Sequence, residues 1–193
     1  PSGIILDALA SFTLGSATNS ATISIDNPLT VDGAITILSP GPGGNVAINS
    51  ALTSHFGVIM AQAGDDVMLG PDGLINSGTS ATDAVILVAG DQFINGSVLG
   101  GESLHLTGGG SRWLIYSADF SNDTRNNLAG NEVYGCNFGT ACALLPSAGN
   151  TFVSARASST TSSGSSTGGS TTSSSSTGGS TTSGSSSSTG GSS

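Results

Sequence analysis

The feature that most constrains this chain is a recurring unit in which a glycine, one or two polar residues and a short apolar segment follow one another. It occurs as Gly44-Asn45-Val46-Ala47-Ile48, Gly64-Asp65-Asp66-Val67-Met68-Leu69, Gly90-Asp91-Gln92-Phe93-Ile94 and Gly101-Glu102-Ser103-Leu104-His105-Leu106, at intervals of 20, 26 and 11 residues. Denser apolar segments lie between them, at residues 34–38, 57–61, 84–88 and 113–116. Segments this short, rich in β-branched and aliphatic residues and punctuated by Gly, Asn and Asp, have the period of strands, and no window carries a sustained 3.6-residue apolar stripe. A sandwich and a solenoid both satisfy that pattern. A recurrence near 20 residues favours the solenoid, in which each strand stacks on its counterpart in the next coil. At about 4.8 Å per coil, roughly six coils make a rod section of about 30 Å.

The expectation is therefore stacked parallel strands from about residue 20 to 120, with Ile35, Ile37, Val46, Ile48, Val67, Leu69, Val85, Leu87, Phe93 and Leu114 pointing inward. Gly43-Gly44, Gly100-Gly101 and Gly108-Gly109-Gly110 supply corners, while Pro40-Gly41-Pro42 and Gly70-Pro71-Asp72-Gly73 read as loops, because proline removes a ladder donor.

Composition divides the chain at residue 157. Beyond it come only Ala157 and then Ser, Thr and Gly, including three Ser-Thr-Gly-Gly-Ser copies, so residues 157–193 read as a disordered low-complexity tail. Residues 1–156 contain enough aliphatic residues to bury a core. Twelve acidic residues against three arginines and no lysine give a formal net charge of −9, a balance that argues against nucleic-acid partners and electrostatic membrane attachment. No run approaches the length of a membrane span, and the opening Pro1-Ser2-Gly3 reads as a cut within a longer or processed chain. Cys136 and Cys142 suit one local disulfide in an oxidising compartment, two free buried thiols being the other reading.

The repeats around Ile35-Thr36-Ile37, residues 45–52 and residues 84–95 resemble those of filamentous haemagglutinins and other large exoproteins of two-partner secretion. More specific is Gly110-Ser111-Arg112-Trp113-Leu114-Ile115-Tyr116-Ser117-Ala118-Asp119, similar to the segment that closes the β-helix in such proteins, although Phe120 stands where proline is usual. The resemblance implies an all-β, right-handed parallel β-helix over residues 1–156, with a terminal cap over about 110–156 to which Arg112, Trp113 and Tyr116 contribute. It also implies a section of a secreted bacterial surface adhesin or biofilm-matrix fibre, extracellular and non-catalytic. The expected partners are an outer-membrane secretion partner and either a host-surface or matrix glycan or protein, or another copy of the chain. No membrane insertion is expected. A purely structural stalk displaying another module is the alternative.

Candidate chemistry is sparse. Asp65-Asp66 is the only adjacent carboxylate pair, of the kind that β-helical pectinases use as general acid and base, but neither a histidine segment nor a basic segment suited to an acidic sugar accompanies it. No catalytic residue, cofactor or metal is expected. Asp65, Asp66 and Asp72 stand on tight glycine turns of the kind that hold calcium, but the tandem glycine-rich nonapeptide of calcium-loaded β-rolls is missing. His55 and His105 read as surface residues. Asn95-Gly96-Ser97 and Asn122-Asp123-Thr124 have the glycosylation pattern, which makes Asn95 and Asn122 candidate acceptors.

Overall fold

A computed structural model describes residues 3–157. The expected disordered tail lies outside the described residues. The described chain is a parallel β-helix of about six stacked turns, without an α-helix and with one short 3-10 turn at Gly100–Glu102.

Each full coil contributes three strands. The first holds β1 (Ile4–Leu6), β2 (Ser11–Gly15) and β3 (Ile23–Ile25); the second β4 (Leu29–Val31), β5 (Ala34–Ser39) and β6 (Val46–Ile48). The third holds β7 (Ala51–Ser54), β8 (Ile59–Ala63) and β9 (Val67–Leu69); the fourth β10 (Leu74–Ser77), β11 (Asp83–Val88) and β12 (Phe93–Asn95). The fifth supplies β13 (Leu104–Leu106) and β14 (Arg112–Ser117), and its third side is a single parallel bridge from Thr124 to Ile94. First strands stack as one sheet, second strands as another and third strands as the last, every pairing being parallel.

Register explains the sequence pattern. Phe12, Ile35, Ile59, Val85 and Trp113 form one inward column, and Ile23, Val46, Val67 and Phe93 another. Gly44, Gly64 and Gly90 each precede a third-side strand, whereas Gly101 precedes the first-side strand β13. The 11-residue interval is therefore a step between sheets. Of the expected inward residues, Leu114 is the exception. Trp113 and Ile115 take the inward columns, and Leu114, paired with Ile86, faces outward, although it is buried. A bulge between Asp83 and Val85, with Ala84 as the extra residue, resets the alternation in the neighbouring strand.

The last strands do not follow chain order. β15 (Asn131–Tyr134) and β16 (Thr151–Ser154) lie beyond β14 in the order β14, β16, β15, so the final strand is inserted between two that precede it. From β14 the chain travels around the core, contributing Phe120 and Leu128 to it, and passes over one strand position to reach β15. Residues 135–150 then return across the outer face of the sheet. Cys142 and Leu145 pack there on Val133, Val153 and Tyr116, and the Arg112 guanidinium donates to the Pro146 carbonyl. Ordered structure continues past the cysteine loop, because β16 follows that loop and re-enters the sheet.

The two ends differ. At the N-terminal coil Leu6, Phe12, Leu14 and Ile23 are only partly covered, and an open cleft of about 430 Å³ is lined by Ile4, Leu6, Phe12, Leu14 and Leu29. At the other end Phe152 is fully buried, its ring 4.9 Å from that of Trp113 in an edge-to-face arrangement. Truncating it leaves a cavity beneath the terminal strands. Phe152→Ala is expected to lower stability by about 3–5 kcal/mol, whereas Ile5→Ala, at a side chain 66% exposed, changes it by less than about 0.5 kcal/mol; denaturant titration followed by far-ultraviolet circular dichroism distinguishes them.

Candidate functional site

At the turns leading into third-side strands, Asp65 and Asp66 meet Asp91 of the next coil, and one carboxylate oxygen from each lies within 4.8 Å of the others. The sequence singled out Asp65-Asp66 but not Asp91. The available signal was alignment of Gly64-Asp65 with Gly90-Asp91, which stacking converts into contact: the Asp91 backbone N–H donates to the Asp65 carbonyl at 2.9 Å.

The local hydrogen bonds show what the acidic residues do. The Asp66 N–H donates to Asn45 Oδ1 at 2.9 Å, the Gln92 N–H donates to Asp66 Oδ1 at 3.1 Å, and the Phe93 N–H donates to Asp123 Oδ1 at 2.9 Å. A side-chain oxygen on one coil thus accepts from a backbone donor on the adjacent coil, three times in succession. Burial raises the Asp66 carboxyl above its usual range, against the lowering effect of the Gln92 N–H, and the charges of Asp65 and Asp91 push the same way as burial. Burial likewise raises Asp123, despite its bonds from Phe93 and Ser117.

Basic groups lie elsewhere. Arg112 pairs with Asp83 at 2.5 Å, Arg125 with Glu132 at 2.7 Å, and Arg156 with Asp119. His55 pairs with Asp32 at 2.9 Å, and His105 faces outward between Leu104 and Leu106; the two histidines share a groove beside Thr53 and Asn76 on the first-side sheet. A hard cation takes six to eight oxygen ligands; the trio offers three carboxylates, with one oxygen of Asp66 committed to the backbone. Asp72 lies in an exposed turn and is not a member of the trio. The chemistry available here is acceptor chemistry toward backbone N–H groups.

The expected cap residues divide between two faces. Trp113 lies inside, and its backbone N–H donates to Asn150 Oδ1 at 3.1 Å. Arg112 and Tyr116 lie outside, beneath the return loop, where the Tyr116 ring meets Phe138 at 5.4 Å and burial raises its phenol. Sequence reading missed Arg125, whose guanidinium carbon sits 4.1 Å from the Phe152 ring centroid and 5.0 Å from that of Phe120, closing the core with a cation held by Glu132. Cys136 and Cys142 are bonded to each other. Of the two glycosylation candidates, Asn122 is exposed. Asn95 is corrected: it is 1% exposed, and its amide nitrogen donates to Gly100, Ser103 and Arg125, which leaves no room for a glycan.

Two carboxylates give opposite pH dependences. The folded pKa of Asp66 is raised, so its contribution to stability is complete below the unfolded value near 3.8 and is lost as pH rises through the folded value. Asp66→Asn, which keeps the Oδ1 acceptor, should therefore melt higher than the parent at pH 7, with the difference shrinking toward pH 3.5. Asp119 is lowered to about 2, first by the Ser121 hydroxyl and then by Arg156, so its contribution is present above pH 3.8 and lost as pH falls toward 2. Thermal melts across that range should show a reduced acid dependence in Asp119→Asn. No family profile, no curated protein and no solved structure matches the chain.

Proposed function

We propose that the chain is a non-catalytic section of a secreted bacterial surface adhesin or biofilm-matrix fibre. The observation that supports this reading best is the stack itself: coil after coil repeats one cross-section in register, and the acidic side chains are used to align coils. The resemblance of the repeats and of the Arg112–Ser117 segment to filamentous haemagglutinins points the same way. The disulfide fits an extracellular location, and no helix among the described residues is long and apolar enough to cross a membrane. Export through an outer-membrane partner, and attachment to a surface or matrix glycan or protein, belong to this reading.

Deleting the gene from the producing bacterium should reduce attachment or matrix biomass several-fold, and purified chain added back should restore it. The Asp65→Asn/Asp66→Asn double variant should restore it equally well. Unchanged attachment after deletion overturns the adhesive reading, and loss of surface display of another module in the same cells would favour the stalk. Release of reducing ends from a polysaccharide by the parent chain, but not by the double variant, would instead establish an enzyme.

A further inference from the structure

The inserted strand is the least expected feature of the fold. β16 is the last strand of the described chain, yet it occupies an interior position: Ile115 and Glu132 flank Phe152, and Tyr116 and Val133 flank Val153. Among the described residues β15 has β16 as its only ladder partner. Without a strand in that place, β15 loses its whole ladder and β14 becomes an open edge with Trp113 and Ile115 beneath it. An element that fills its place through a long connection can be exchanged between copies at low cost, because the contacts made in trans repeat those made in cis.

We propose that Thr151–Ser154 is an exchangeable strand whose place between β14 and β15 is a binding site for the same strand of a second copy, and that the Cys136–Cys142 disulfide holds it in its own chain. The partner is fixed by the complementarity of the place. It requires an extended segment with a large aromatic directed inward to meet Trp113 and Arg125, a β-branched residue directed outward under the loop, and hydroxyl residues at the ends; Thr151-Phe152-Val153-Ser154 meets each requirement. The hinge is residues 135–150. Extended, it reaches about 50 Å. The disulfide holds two Cα atoms 5.6 Å apart across a sequence separation of 6, which an open chain spans with about 20 Å, so the bond shortens the hinge and favours return to the same sheet. It also pins the loop to the outer face, where Cys136 is buried with Val133 and Val153. Opening it requires a dithiol reductant: the S–S bond breaks, both cysteines gain a hydrogen, and the reductant leaves as its own disulfide.

The full chain carrying Cys136→Ser and Cys142→Ser tests this, with light scattering reading mass and hydrogen exchange reading the strands. The expected result is a concentration-dependent dimer, at least several-fold more populated than in the oxidised parent, in which amides of β15 and β16 remain protected. Adding Phe152→Ala should abolish that dimer while leaving exchange in β5, β8 and β11 slow. Should the serine variant not fold, the parent titrated with dithiothreitol gives the same readout, with shaft amides reporting that the coils are intact. A variant that stays monomeric at all concentrations, with β16 either protected or exchanging freely, overturns the proposal. So does a dimer that survives Phe152→Ala, since association would then lie elsewhere.

Discussion

The constraint on which the whole structure depends is that a parallel coil satisfies its backbone only through its neighbours. No strand in the shaft pairs with the strand next to it in sequence; every ladder joins residues about one coil apart. Hydrogen bonding, register and inward packing are thus set together. If one coil slipped by a single residue, its inward column would turn to solvent and its ladder would misalign. The acidic and amide side chains at the third-side turns reinforce that register, Asn45, Asp66 and Asp123 each accepting from a backbone N–H of an adjacent coil.

Close approach between coils constrains composition as well. A Cβ on Gly64 would lie 2.0 Å from the Gly41 carbonyl oxygen, and one on Gly90 would lie 2.2 Å from that of Gly64. These glycines form a seam along the rod where successive backbones touch. The residue after each of them belongs to the carboxylate trio, so one stacking geometry produces both the seam and the cluster.

The shaft was legible in the sequence because alternation and turn residues are local signals. Val46, Ile48, Val67 and Leu69 alternate with residues that face outward, and nothing distant disturbs that pattern. Leu114 was misplaced because the segment Arg112–Ser117 is apolar on both faces, and sequence alone does not reveal that the return loop covers the outer one. The inserted strand was illegible for a related reason: a four-residue segment does not specify which gap it enters, and Phe152 meets Trp113 of β14 and Glu132 of β15, neither of which is near it in sequence. Arg125 read as one of three scattered bases until folding placed it over two aromatic rings. Asp91 is half visible in the sequence: the spacing of Gly90-Asp91 from Gly64-Asp65 marks the repeat, but only stacking shows that the spacing makes the two pairs neighbours.

The interior position of β16 also determines how the molecule bears load. Because the chain leaves the shaft from a strand flanked on both sides, a pull on residues beyond Arg156 acts along β16 and loads its ladders to β14 and β15 simultaneously. An edge strand pulled the same way would have only one ladder to resist. The ion pair between Arg156 and Asp119 ties the residues after β16 to the turn that follows β14, a contact outside the sheet. Traction along β16 is opposed by shear across two rows of hydrogen bonds instead of by unzipping along one.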